Sequence, residues 1–108
     1  MPFTPKNDFG LRNLTVSSAV RRLSVGAQAD VTLIFEFLSC PRITQGVRVV
    51  ALSDGSNGTK VTLLADSTPK LLGTLEEYGA PIPRGRVEDF LNMVNQSLTD
   101  VLVLVPEK

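Results

Sequence analysis

Apolar positions in this chain come in short runs, punctuated by glycine, proline, serine and asparagine. Val31–Leu38 is the clearest strand: Val31, Leu33, Phe35 and Phe37 alternate onto one face, and Thr32, Ile34, Glu36 and Leu38 share the other. Both faces are largely apolar, which predicts a central strand. Pro41, just after Ser39-Cys40, ends it because proline cannot donate to a ladder. Val47–Leu52 and Thr59–Ala65 flank Ser53-Asp54-Gly55-Ser56-Asn57-Gly58. Two β-prone runs around a glycine-rich turn predict a hairpin. Thr99–Val105 is also strongly β-prone and is stopped by Pro106, so a last strand is expected there.

Two other stretches carry the helical period. From position 86 to 97, Val87, Phe90, Leu91, Val94 and then Leu98 follow i, i+3, i+4, i+7, i+11, with Glu88 and Asp89 in the first turn. One apolar stripe faces inward, and the acidic pair suits the positive end of the helix dipole. Residues 69–78 form the second helix. Thr68 and Pro69 open it, Leu71, Leu72, Leu75 and Tyr78 supply the stripe, and Gly79 and Pro81 close it. Leu14–Val25 fits both periods. Val16, Ala19, Val20 and Leu23 suit a helix stopped at Gly26, whereas Leu14, Val16 and Val20 suit a strand. The balance tips slightly to helix, although valine, threonine and serine are poor helix formers.

Together these elements predict an α+β fold: an antiparallel or mixed sheet of four or five strands, with both helices (69–78 and 86–97) before the last strand. A β-sandwich is the alternative, if Leu14–Val25 is strand and the first helix fails. Residues 1–13, polar with two prolines and one glycine, read as an extended N-terminal arm. Residues 14–108 read as one globular domain. The expected core is Leu33, Phe35, Phe37, Val49, Leu63, Phe90, Leu91, Val94 and Val103.

Composition narrows the function. The chain has 108 residues, 43% of them hydrophobic, enough for a sizeable core built mainly of valine and leucine. No histidine and no tryptophan are present, and there is one cysteine. Without histidine the commonest general base, metal ligand and triad member is missing. Cys40 has no histidine to activate it and reads as an inert, partly buried thiol. Structural zinc wants four Cys or His ligands, so neither zinc nor any other metal or cofactor is expected. The turn at 54–58 lacks the alternating acids and closing glutamate of a calcium loop, and Gly58-Thr59-Lys60 lacks the ending of a phosphate-binding loop. Glu76-Glu77 and Glu88-Asp89 are adjacent, so on a helix they diverge and do not share a proton. Arg21-Arg22-Leu23-Ser24 matches a basophilic kinase site, and Asn13, Asn57 and Asn95 open glycosylation sequons, short patterns that recur by chance. The chain is therefore read as not an enzyme.

The 11 basic residues equal the 11 acidic ones. Zero net charge argues against a dedicated nucleic-acid binder. The distribution is uneven. Residues 1–28 carry Lys6, Arg12, Arg21 and Arg22 against Asp8, a net +3; residues 71–108 carry Arg84, Arg86 and Lys108 against six acids, a net −3. The bland explanation is mutual neutralisation within one fold; the sharper one is a basic end meeting an acidic end on another subunit. No apolar run follows Met1 as in a signal peptide, and none reaches the ~20 residues of a membrane span. A cytoplasmic or virion location is expected, with no membrane.

The leading expectation is a non-enzymatic structural or assembly protein, such as a small virion or tail component forming a homo-oligomer. Its arm would contact another subunit through Phe3, Lys6 and Arg12, with Glu76 and Glu77 as acidic counterparts. Arg84 and Arg86, at the start of the helix at 86–97, are candidate anion contacts beside its free N–H groups. The alternative is a small binding module for single-stranded nucleic acid or a protein partner, using Arg21, Arg22, Arg84 and Arg86. Six aromatic residues in all count against the nucleic-acid form.

Overall fold

The computed structural model describes residues 9–19, 22–55, 58–80 and 82–102. Four strands, β1 (Leu11–Ser17), β2 (Gln28–Phe37), β3 (Ile43–Ser53) and β4 (Thr59–Leu63), form an antiparallel meander in the order β1-β2-β3-β4. Helix α1 (Ser67–Glu77), a 3₁₀ turn (Arg84–Arg86) and helix α2 (Val87–Leu102) follow. The α+β class and the two helices agree with the sequence pattern. The helices, however, come after β4, and no strand follows them among the described residues. The β-sandwich alternative is not realised, since all four strands share one sheet.

Register fixes which face is the core. Phe35 lies opposite Leu14 and Ile43, Val31 opposite Val47, and Val49 opposite Leu63. Because side chains alternate, these residues share one face, and α1 and α2 cover it. Leu71 and Leu75 from α1, and Phe90, Val94, Leu98 and Leu102 from α2, are buried in the same cluster as Leu33, Phe35 and Val49. Phe90 stacks on Phe35 and Phe37, with centroids 5.9 and 6.5 Å apart. Of the expected core, Leu63 and Leu91 are only partly buried, and Val103 lies outside the described residues. The other sheet face, with Thr15, Ile34, Asp30, Arg48 and Lys60, carries no helix. β2 is central in the sheet, as its two apolar faces required, but it is covered on one side only.

Two sequence expectations are corrected. Leu14–Val25 does not form a helix: Leu11–Ser17 is a strand at the sheet edge, placing Leu14 and Val16 against the core beside Phe35 and Leu33. β-branched Thr15 and Val16 suit that pleated surface better than a helix. β1 also begins inside the stretch read as an arm, while Met1–Asp8 lie outside the described residues. Thr99–Val105 does not begin a strand either. α2 continues to Leu102 because Phe90, Val94, Leu98 and Leu102 prolong one fully buried stripe, and burial outweighs the β-propensity of Thr99 and Val101.

α2 also seals a sheet edge. Asn95 Oδ1 accepts the Leu63 N–H at 3.1 Å, and Thr99 Oγ1 accepts the Val61 N–H at 2.9 Å. β4 is shorter than β3, and α1 lies along the part of β3 that β4 leaves uncovered. Ser67 Oγ accepts the Arg48 N–H at 2.9 Å, and the Thr74 hydroxyl donates to Gln45 Oε1 at 2.7 Å.

Candidate interaction surface

Phe9 anchors one pole of the molecule. Its ring meets Phe90 edge-on at 5.3 Å, and the Arg86 guanidinium lies 5.4 Å from its centroid. The residue is 5% exposed. Gly10, at φ 66°, then turns the chain into β1, and its carbonyl accepts the Leu38 N–H at 2.8 Å. Glycine reaches that left-handed conformation without strain. Phe9 and Gly10 are therefore fixed beside α2, the 3₁₀ turn and Leu38.

The same pole holds the end of α1. The Gly79 N–H donates to Glu76 O at 3.0 Å and the Ala80 N–H to Leu75 O at 2.9 Å, with Gly79 at φ 78°. This paired closure satisfies the last helix carbonyls, and Ala80 and Ile82 beyond it pack against the core. Ala80 and Ile82 then run toward the 3₁₀ turn. Between them, Leu72 and Val87 lies a groove of about 370 Å³, with Glu76 and Arg84 also in its lining. Two of the sequence candidates are thus brought into one concavity. The side chains of Glu76, Glu77 and Arg84 pair with no described residue. Leu38, whose N–H bonds the Gly10 carbonyl, and Tyr78, the residue that caps α1, are 69% and 51% exposed.

Other candidates have structural employment or lie elsewhere. Arg86 Nε donates to Asp89 Oδ2 at 2.7 Å while its guanidinium covers Phe9, so it holds Phe9 in place and is not an open anion site. Arg12 is exposed on β1, the extra residue of a bulge between Leu11 and Asn13. Arg22 is exposed in the β1–β2 connection. Phe3, Lys6 and Arg21 lie outside the described residues. Asp54 Oδ1 accepts the Gly58 N–H at 3.0 Å, closing the hairpin turn. Cys40 is a free thiol packed against the core. Asn95 seals β4.

A second concavity of about 460 Å³ is polar, with Asp30, Arg48, Asp66, Ser67 and Lys70 in its wall. Asp30 accepts a hydrogen bond from Arg48 Nε at 3.0 Å, and that bond with its charge raises the guanidinium above its ordinary pKa. Arginine is charged at any working pH, so the shift adds no proton chemistry. Among the described residues no three His, Cys, Asp or Glu side chains are placed to hold a metal ion, and no helix is long and apolar enough to cross a membrane. The opposite pole carries Val25, Leu52 and Val101, each more than 40% exposed.

The sequence reading missed Phe9, Leu38, Ala80 and Ile82. The signal available for the last two was the run Gly79-Ala80-Pro81-Ile82-Pro83, which holds apolar side chains in a connector that cannot be regular structure. No protein-family model matches the chain, and neither a curated protein nor a solved structure is significantly similar to it.

Proposed function

We propose that this chain is a non-enzymatic structural subunit that assembles with copies of itself, as in a small virion or tail component. The observation that carries the reading is the pole around Phe9. It gathers two exposed apolar side chains, Leu38 and Tyr78, and a groove walled by Leu72, Ala80, Ile82 and Val87. Exposed apolar surface beside charged groups that pair with no described residue is what protein–protein contacts use. The sequence supports the reading by lacking histidine altogether.

Light scattering coupled to size-exclusion chromatography tests it. The expected result is a discrete multiple of the 11.7 kDa chain mass across the micromolar range. A monomer throughout that range would refute the proposal.

The edge of β1 favours a second reading, a module that binds a protein partner by strand addition. β1 has a strand neighbour on one side only, and no hydrogen bond among the described residues outside the sheet uses its backbone. Such an edge can accept an extended peptide. The nucleic-acid form has less support. Phe9, Phe35, Phe37 and Phe90 are buried against one another, leaving Tyr78 as the exposed aromatic among the described residues. Base stacking needs exposed aromatic platforms.

A further inference from the structure

We infer that two copies of this chain pair edge to edge through β1, antiparallel across a two-fold axis at Thr15, so that their four-stranded sheets continue as one. This rests on the self-assembly reading above and assigns that assembly a contact separate from the groove.

The ladder shows which backbone groups are open. On β3, the Arg48 N–H goes to Ser67 Oγ and the Arg48 carbonyl accepts from the Leu64 N–H, so both point away from β2. Bonding alternates along an antiparallel strand. Val47, opposite Val31, therefore bonds β2, and so does Ile43, opposite Phe35. On β2 it follows that Val31, Leu33 and Phe35 bond β3, while Thr32 and Ile34 bond β1. Their partners on β1 are Ser17 and Thr15. Leu14 and Val16 alternate with them and thus present their N–H and C=O groups to the open edge. No hydrogen bond among the described residues uses those groups.

The opposite edge of the sheet is closed. Asn95 and Thr99 accept outward amides of β4, and Ser67 accepts that of Arg48 where β4 has ended. Proteins also guard edges with lysine, proline, inward-pointing charge or bulges. Residues 13–17 contain none of these; the bulge and the one charge of β1, Arg12, lie ahead of them.

The stretch is complementary to itself. With Thr15 on the axis, Leu14 lies opposite Val16 of the second copy and Val16 opposite its Leu14, which allows four hydrogen bonds. Both side chains are only partly buried against their own core, so their remaining surface meets as apolar pairs on that face. On the other face Thr15 meets Thr15, and Asn13 meets Ser17. A two-fold axis sets a residue against its own copy, so a charge at position 15 would repel itself; threonine does not. The incoming strand is already extended within its own sheet and loses less conformational freedom than a loose peptide of a partner. The contact is isologous and closes at two subunits.

The full chain tests this. Light scattering should show a dimer, and amide exchange at Leu14 and Val16 should slow as protein concentration rises. Val16→Pro removes an outward N–H that β2 does not use, and proline is tolerated on edge strands. It should raise the dimer dissociation constant about ten- to a hundredfold. Thr15 is exposed, so changing it leaves the core intact. Thr15→Lys and Thr15→Glu should each weaken the dimer, and mixing the two should restore it as a heterodimer. An oligomer that all three substitutions leave unchanged overturns the inference, although self-assembly then stands. Leu14 and Val16 amides already protected in a dilute monomer overturn it too, since the chain then covers its own edge. A chain that stays monomeric at every concentration overturns both readings and leaves the edge to a partner's strand.

Discussion

Replacing Thr99 by valine should unseal the β4 edge while leaving the shape of α2 unchanged. Asn95 and Thr99 are four apart on the helix, roughly 6 Å along its axis. Leu63 and Val61 are two apart on the strand, roughly 6.7 Å. The two repeats nearly match, so one helix face can satisfy successive outward amides of an antiparallel strand. The alternate amides point the other way, toward β3, as the Leu64 N–H to Arg48 O bond at 3.0 Å indicates. Thr99→Val keeps the side-chain volume but removes the acceptor 2.9 Å from the Val61 nitrogen. A partly buried N–H left without an acceptor costs about 1–3 kcal/mol. For a chain of this size that lowers the thermal midpoint by about 4–12 °C. Asn95→Ala should cost a similar amount through Leu63. The Thr99 hydroxyl also donates to the Asn95 carbonyl at 2.9 Å, so the two positions belong to one network and the double variant should depart from the sum. Thermal unfolding should be compared at one protein concentration, because self-association adds to apparent stability. Native-state hydrogen exchange then localises the effect: Val61 should lose protection in Thr99→Val while Thr62 keeps it. An unchanged midpoint with Val61 still protected would refute the edge-sealing argument.

Phe90→Ala should cost about 3–5 kcal/mol in a urea titration, since the ring is fully buried against Phe9, Phe35 and Phe37; a loss below about 1 kcal/mol would mean it is not the anchor of α2. Gly79→Ala should cost about 1–2 kcal/mol, all of it backbone strain, because a Cβ there meets nothing within 4 Å and φ is +78°. Equal stability would show that the α1 terminus adapts freely. Ser67→Ala should cost about 1–3 kcal/mol by orphaning the Arg48 N–H, and exchange at that amide should quicken. Unaltered exchange there would mean that water replaces the hydroxyl.

Local signals made β2, the β3–β4 hairpin and both helices legible, because each carries its own period and its own stop. The turn at Asp54–Gly58 is one example: an Asp side chain and a glycine close it within five residues. β1 was not legible, because Leu14 and Val16 satisfy either period and the decision lies with Leu33 and Phe35, far along the chain. The same holds at the other end. Val101 prefers a strand locally, but Leu98 and Leu102 are buried beneath the sheet, and that burial keeps the segment helical. Of the candidate surface, the charges were visible in the sequence and the concavity was not. Glu76 and Arg84 stand out as residues around helix ends, yet the groove exists only because the α1 closure aims Ala80 and Ile82 at the 3₁₀ turn.

Assigning each polar side chain its task narrows what remains. Asp54 closes a turn, Ser67 and Thr74 fasten α1 to β3, and Asn95 and Thr99 seal β4. Asp89 holds Arg86, and Arg86 covers Phe9. These groups maintain the fold and are not spare for binding. Among the described residues Glu76, Glu77 and Arg84 have no such internal task, and Glu76 and Arg84 share one groove. Unpaired charge and exposed apolar surface have separate physical origins, so their coincidence at one pole weighs more than either alone. Charge there sets orientation, and the apolar groove supplies affinity. The other exposed apolar side chains, Val25, Leu52 and Val101, line neither of the two concavities, which directs the first contact experiments to the Phe9 pole.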